Sequence, residues 1–292
     1  MADPIVRAEA LGKRFGSKQV LDDISVTAEA GDVVAVLGKN GAGKTTLLEL
    51  LLGFGPPSSG KAEVFGHTAT ALPEAAKARI GFVPQQDELV ELLTGAQQLK
   101  IVESFHRRWD HALVERLTRE WEVPLGRRVS TLSVGERQKI SLLLALGHHP
   151  DLLVLDEPVA SLDPLARRDF LKQLLASADQ EGRTVLFSSH IVSDLERAAN
   201  KAWIVKDGRL AWHGELDALK ESVVRLHIRG RRPLPENVDI PGALARRVEG
   251  AHAVVAVTDW RPAAHAPLAE RLDAVIEVEP LGLEDIFIEL HS

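Results

Sequence analysis

Eight consecutive residues constrain this chain more than any others: Gly38-Lys39-Asn40-Gly41-Ala42-Gly43-Lys44-Thr45, followed at once by Thr46. The run fits G-x-x-x-x-G-K-[ST], and its flanks supply the context that this pattern needs. Asp32 to Leu37 (DVVAVL) reads as a buried strand and Thr45 to Leu52 as a helix. Glycines let the backbone curl until successive N–H groups face one point, a concavity for phosphate. The helix opening near Thr45 adds its positive dipole end. Lys44 is then placed for the terminal phosphates, and the Thr45 hydroxyl for a magnesium ion. A glycine-rich turn that binds nothing is the competing reading, and the flanking strand and helix argue against it. The loop is expected to bind a nucleotide.

A second apolar strand, Leu152 to Leu155, ends in two carboxylates, Asp156 and Glu157. Neighbouring strand residues point to opposite faces, but at a strand end the backbone can turn and give each acid its own task. Beside a phosphate loop, Asp156 would hold the magnesium shell and Glu157 would polarise an attacking water. Alone, such a pair would more simply be a solvated strand end. Arg79 to Val83 and Thr184 to Ser188 read as further strands, and their alternation with helix-period segments predicts an α/β sheet. Leu99, Val102, Phe105, Trp109, Leu113, Leu117 and Trp121 recur at steps of three and four. They form one helical face with a break near Asp110, so a helical block is inserted between strands. Asp163-Pro164 opens another helix as N-cap and first residue, with Ala166, Phe170, Leu171 and Leu174 at helical spacing.

The texture changes after Ser222. Residues 229–237 (RGRRPLPEN) read as a linker or long loop. Ala253 to Val257 and Ala274 to Val278 read as strands, Ala263 to Leu272 and the stretch from Leu283 as helices. Two domains are expected: residues 1–221, with a helical subdomain at about 87–150, and a small α+β appendage at 222–292, too short for a large core of its own. The charge balance, 35 − 42 = −7, argues against a general nucleic-acid coat. Arg229, Arg231 and Arg232 accordingly read as a solvated loop. The absence of cysteine excludes disulfides, thiolate catalysis and Cys-ligated metals. His148-His149 and the other histidines lack metal-ligand spacing, so no structural metal is assigned. No apolar run approaches the ~18 residues of a membrane span, and Met1-Ala2-Asp3-Pro4 does not open a signal peptide. A cytoplasmic location is expected.

Further motifs follow in a fixed order. Taken together they resemble the nucleotide-binding subunit of an ABC transporter, over about Ile5 to Lys220. Gln85, in Phe82-Val83-Pro84-Gln85-Gln86, matches the Q-loop glutamine. Leu132-Ser133-Val134-Gly135-Glu136 matches the ABC signature, Ser161-Leu162-Asp163 the D-loop, and His190 the switch histidine. Phe15 lies where the family stacks an aromatic ring on adenine. Singly these residues have bland readings: a solvated amide, a structural histidine, a core phenylalanine. Their order around the phosphate loop carries the resemblance.

That resemblance implies a P-loop NTPase sheet with a helical signature subdomain, working as a magnesium-dependent ATPase. Two copies would close face to face around two ATP molecules, a homodimer with isologous sites. Lys44, Glu157 and His190 would act in catalysis, and Thr45, Gln85 and Asp156 would hold magnesium. Ser133, Gly135, Glu136 and Asp163 would complete the ATP site of the other copy. A separately encoded transmembrane permease is the implied partner, holding the chain at the cytoplasmic face of the membrane. Asp87 to Leu93 (DELVELL) is where the family docks a short helix of that permease. The alternative is that Leu89, Leu92 and Leu93 pack the subdomain, as Trp109 and Trp121 are expected to do. Leu281 to Leu290 (LGLEDIFIEL) resembles the tail of bacterial export-type, ABC-2-like subunits. An exporter is therefore favoured over an importer with a regulatory tail. A soluble ABC ATPase acting on ribosomes or DNA ranks lower still, because this chain lacks a second cassette and long coiled coils. The signature departs from LSGGQ at Val134 and Glu136. A β-branched side chain and an added carboxylate near ATP predict an ATPase that is active but slow.

Overall fold

The computed structural model describes residues 3–158, 167, 171, 182–192 and 199–291. The expected D-loop, Asp163 included, and most of the helix after it lie outside the described residues. The chain divides into two units, Met1–Asp194 with Lys201–His213, and Leu195–Asn200 with Gly214–Ser292.

The first unit opens with an antiparallel pair, β1 (Val6–Phe15) and β2 (Lys18–Ala28), and continues through β3 (Val33–Leu37) into α1 (Lys44–Leu51). Then come β4 (Ser59–Val64), β5 (His67–Thr68), a single turn α2 (Glu74–Lys77) and β6 (Ile80–Val83). Three helices follow, α3 (Gly95–Glu103), α4 (His111–Glu120) and α5 (Val134–Leu146). The chain returns through β7 (Leu152–Leu155), β8 (Thr184–Ser189), β9 (Lys201–Lys206) and β10 (Arg209–Glu215). Two sheets result, ordered β2-β1-β4-β5 and β10-β9-β3-β8-β7-β6. In the second, β9, β3, β8, β7 and β6 are parallel. β7 and β8 are buried throughout, as strands covered on both faces must be, which is why β7 and the Val185–Phe187 centre of β8 read as apolar runs. Helix α1 joins the two sheets. Its Leu47, Leu48, Leu50 and Leu51 are buried among Val6, Leu11 and Ile24 of one and Val34, Val154, Leu186 and Trp203 of the other.

The expected break in the helical block is real and has a cause. Asp110 is the N-cap of α4, its Oδ1 accepting the Leu113 N–H at 2.8 Å. Trp121 is buried, but Phe105 is 80% exposed and does not join the core face on which the helical spacing placed it. Among the described residues, no helix is long and apolar enough to cross a membrane.

The second unit contains α6 (Leu216–Ser222), β11 (Val224–Gly230), β12 (Ala243–Glu249), β13 (His252–Val257), α7 (His265–Leu272), β14 (Ala274–Pro280) and α8 (Leu283–Leu290). Its antiparallel sheet runs β12-β13-β11-β14 over a core of Leu226, Ile228, Val255, Leu268 and Ile276. Two strands depart from the sequence reading. β11 takes in Arg229 and Gly230, which read as linker. β12 (ALARRVE) is a half-exposed edge strand without apolar alternation, and edges tolerate such composition.

At the end of α5, His148 is buried, its Nε2 3.1 Å from the Ile80 carbonyl and its ring stacked on His106 at 4.0 Å. Burial, helped by the His106 ring, pushes its pKa down to about 4 from 6.5. The unfolded chain therefore takes up this proton first. Stability is complete above the unfolded value and falls as pH drops from 6.5 toward about 4. Over that window the loss amounts to about 3 kcal/mol. Denaturant melts across this pH range should show His148→Phe flattening the acid slope, and an unchanged slope would contradict the assignment.

Candidate functional site

Where β3 ends, the chain turns through Gly38 to Gly43 into α1. Gly41 and Gly43 hold φ of 81° and 110°, left-handed values that L side chains rarely adopt. A Cβ on Gly38 would lie 2.6 Å from the Val205 carbonyl oxygen, so close backbone approach demands glycine there. Gly43 caps α1 without a side-chain acceptor, which leaves the first-turn N–H groups for an external anion. Lys39, Asn40 and Gly41 are exposed, while Ala42, Gly43 and Lys44 are buried and Thr45 and Thr46 half-buried.

The Lys44 ammonium sits 2.9 Å from the Gly38 carbonyl and 3.1 Å from Glu157 Oε1. Glu157 Oε2 lies 2.8 Å from Nδ1 of His190. Lys44 and Glu157 are 5% and 7% exposed, His190 39%. Strand register makes this meeting possible: Leu37 pairs with Ser189, and Leu155 with Phe187. The carboxyl ends of β3, β8 and β7 thus stand side by side. Beyond β7 the two acids diverge because Glu157 has φ 48°, turning the chain as its side chain crosses to Lys44. Asp156 stays with Ser188, whose hydroxyl donates to Asp156 Oδ1 at 2.5 Å and accepts the Glu157 N–H at 2.8 Å. Ser188 therefore holds both acids, a role that no motif announces. Its only sequence signal is a hydroxyl ending a buried strand, and the pairing with β7 that exploits it is tertiary. The Asp156 N–H donates to the Val83 carbonyl at 2.9 Å, and Gln85 follows two residues on, exposed. Thr45, Asp156 and Gln85 offer hydroxyl, carboxylate and amide oxygens, a hard donor set that suits magnesium sharing its shell with phosphates.

The signature residues form a second cluster. Ser133 is the N-cap of α5: its Oγ accepts the Glu136 N–H at 3.3 Å, while Glu136 Oε2 accepts the Ser133 N–H at 2.7 Å. Glu136 Oε1 is 3.1 Å from Arg127 Nη1. These bonds, the Ser133 N–H foremost, hold the Glu136 carboxyl below the usual carboxylate range. Its added charge is thus committed within its own subunit. Val134 is 58% exposed, so its β-branched side chain crowds nothing there. Gln85, Asp87, Leu89, Glu91, Val134 and Arg137 line a groove of about 380 Å³. Beside it Leu92 is 77% exposed, so it does not pack the subdomain. Phe15 ends β1, 57% exposed, with the Lys13 ammonium 5.1 Å from its ring centroid.

The ABC transporter family pattern matches residues 21–160. The Nod factor export ATP-binding protein I of Paraburkholderia xenovorans (strain LB400) is 32% identical over 305 positions, covering 99% of this chain and 98% of that protein. An uncharacterized ABC transporter ATP-binding protein of Bacillus subtilis (strain 168), YdbJ, is 34% identical over 212 residues, 72% of this chain and 69% of its own. Among solved structures, an ATP-binding subunit of an ABC transporter matches with a TM-score of 0.65 and 28% identity over 74% of this chain and 92% of that one. A nucleotide loop, paired acids on parallel strand ends and kinship along the whole chain agree: this chain belongs to the ATP-hydrolysing subunits of ABC transporters.

Proposed function

We propose that this chain powers export, hydrolysing ATP in a closed homodimer beneath a separately encoded permease. The observation that carries the chemistry is the Glu157 carboxylate held between Lys44 and His190. A terminal phosphate in the loop draws the Lys44 ammonium, and loosening that ion pair leaves Glu157 an oxygen with which to polarise water. His190, already bonded to Glu157, keeps the carboxylate oriented and meets the same phosphate. Thr45, Asp156 and Gln85 would hold a magnesium ion, which would supply charge neutralisation on the phosphates. Phe15 offers an exposed ring for adenine. Ser133 Oγ and the Gly135 N–H meet the terminal phosphate held by the other copy, and Asp163 serves the seam between the two. Phosphoryl transfer needs mainly positioning and charge stabilisation, so closing the dimer switches hydrolysis on.

Export as the direction is supported by the likeness to the Nod factor export ATP-binding protein, which runs through the second unit as well as the first. The groove beside Gln85, with Val90 and Leu92 exposed next to it, suits a short helix of the permease. That contact would place the chain on the cytoplasmic face of the membrane. Affinity capture of tagged Glu157→Gln protein from detergent-solubilised native membranes, with ATP and magnesium, should retain a polytopic membrane protein stoichiometrically. Recovery of soluble dimer alone, or of ribosomes, would overturn the transport reading.

Glu157→Gln should abolish steady-state hydrolysis while retaining ATP binding and an ATP-trapped dimer; near-normal turnover would remove Glu157 from its role. Ser188→Ala strands the Glu157 N–H and removes a hydrogen bond from buried Asp156, a loss of about 1–3 kcal/mol. Turnover should fall by roughly ten- to a hundredfold, with ATP affinity less affected. Equal losses in both would mark Ser188 as a general support of the fold.

A further inference from the structure

Helix α5 starts with a charge that steadies the helix but repels a phosphate arriving there. A helix N-terminus attracts anions through its unsatisfied N–H groups and dipole, yet here Glu136 bends back onto the Ser133 N–H at 2.7 Å. The carboxylate occupies a donor at the point a phosphate would approach, and it adds a negative charge there. Its other oxygen is closed off by Arg127, with Nη1 3.1 Å from Oε1. Arg127 is itself anchored: its second guanidinium nitrogen donates to the Thr131 carbonyl. Its backbone N–H donates to Pro124 O at 3.0 Å, and its carbonyl accepts the Gly95 N–H at 3.3 Å. The other cation acting on Glu136 is Lys139, and its ammonium is held by the Trp121 carbonyl at 2.9 Å. Among the described residues, Arg127 is therefore the cation in direct contact with this carboxylate.

We infer that Arg127 is a positioning residue for ATP-driven dimerisation: it neutralises the Glu136 carboxylate and ties it back, so that the α5 N-terminus can receive the phosphate bound by a second copy. The inference rests on the closed-dimer reading above. It accounts for a glutamate where the LSGGQ form has glutamine, since a neutral amide at that position needs no counter-charge.

The test compares five proteins, all in the Glu157→Gln background: the parent, Arg127→Ala, Arg127→Lys, Glu136→Gln and the Arg127→Ala/Glu136→Gln double variant. Analytical ultracentrifugation gives the ATP concentration at half-maximal dimer for each. Arg127→Ala should raise that concentration about tenfold, the effect of one uncompensated charge near a phosphate, and added salt should narrow the gap. Adding Glu136→Gln should return the double variant to near the parent value, and Arg127→Lys should retain most of the parent behaviour. A double variant as weak as Arg127→Ala, or an Arg127→Ala protein that dimerises like the parent, would overturn the role given to Arg127. A parent that stays monomeric with ATP would overturn the closed-dimer reading itself, and the two failures are thus distinguishable.

Discussion

The buried ion pair between Lys44 and Glu157 is the interaction around which the site is arranged. Both side chains are almost wholly withdrawn from water, and removing one partner of such a pair typically costs about 3–5 kcal/mol because the other is left as an uncompensated charge. The sheet must therefore deliver the two groups together. It does so through parallel register, since β3 leads into the loop that carries Lys44 and β7 leads into Glu157. β8 lies between them and contributes Ser188 and then His190. Everything that fixes those three strands, including the leucines of α1 wedged between the two sheets, also fixes the distance between the ammonium and the carboxylate.

What was legible in the sequence divides along the same line. The phosphate loop could be read because its chemistry is local: left-handed φ at Gly41 and Gly43 and close approach at Gly38 each leave a mark on residue type. The two acids could be read because an unbroken apolar run ended in them. Ser188 could not, since its use depends on which strand lies beside β8, and a buried serine has many structural roles. The strands β11 and β12 were obscured for another reason. Arginines at a sheet edge and at a strand end satisfy local polarity without the alternation that signals a half-buried strand. Phe105 misleads by fitting a helical spacing that Asp110 interrupts before it can become one continuous face.

The signature helix shows how a departure from a family pattern can be absorbed. Glutamate at position 136 looks, in sequence, like an unwanted charge beside ATP. In the folded chain it is the reciprocal half of a capping box, and such boxes stabilise a helix start by satisfying two orphan N–H groups. The charge is then met by Arg127. Exposure of Val134 likewise moves the question of crowding from this subunit to whatever surface closes upon it.

These pairings share a logic that bears on turnover. The chain carries a net charge of −7, and a nucleoside triphosphate adds several negative charges more, so each acid near the phosphate path needs its own partner. Asp156 has the Ser188 hydroxyl, Glu136 has Arg127 and the Ser133 N–H, and Glu157 has Lys44 and His190. On the reading proposed above, an arriving phosphate engages two of these partners, the Lys44 ammonium and the His190 ring, and both belong to Glu157. The acid loosened is then Glu157, the one aimed at water, while Asp156 keeps its Ser188 hydroxyl and Glu136 its Arg127. Binding of the nucleotide and arming of the base become a single electrostatic exchange, which needs no movement of the strands that hold the site.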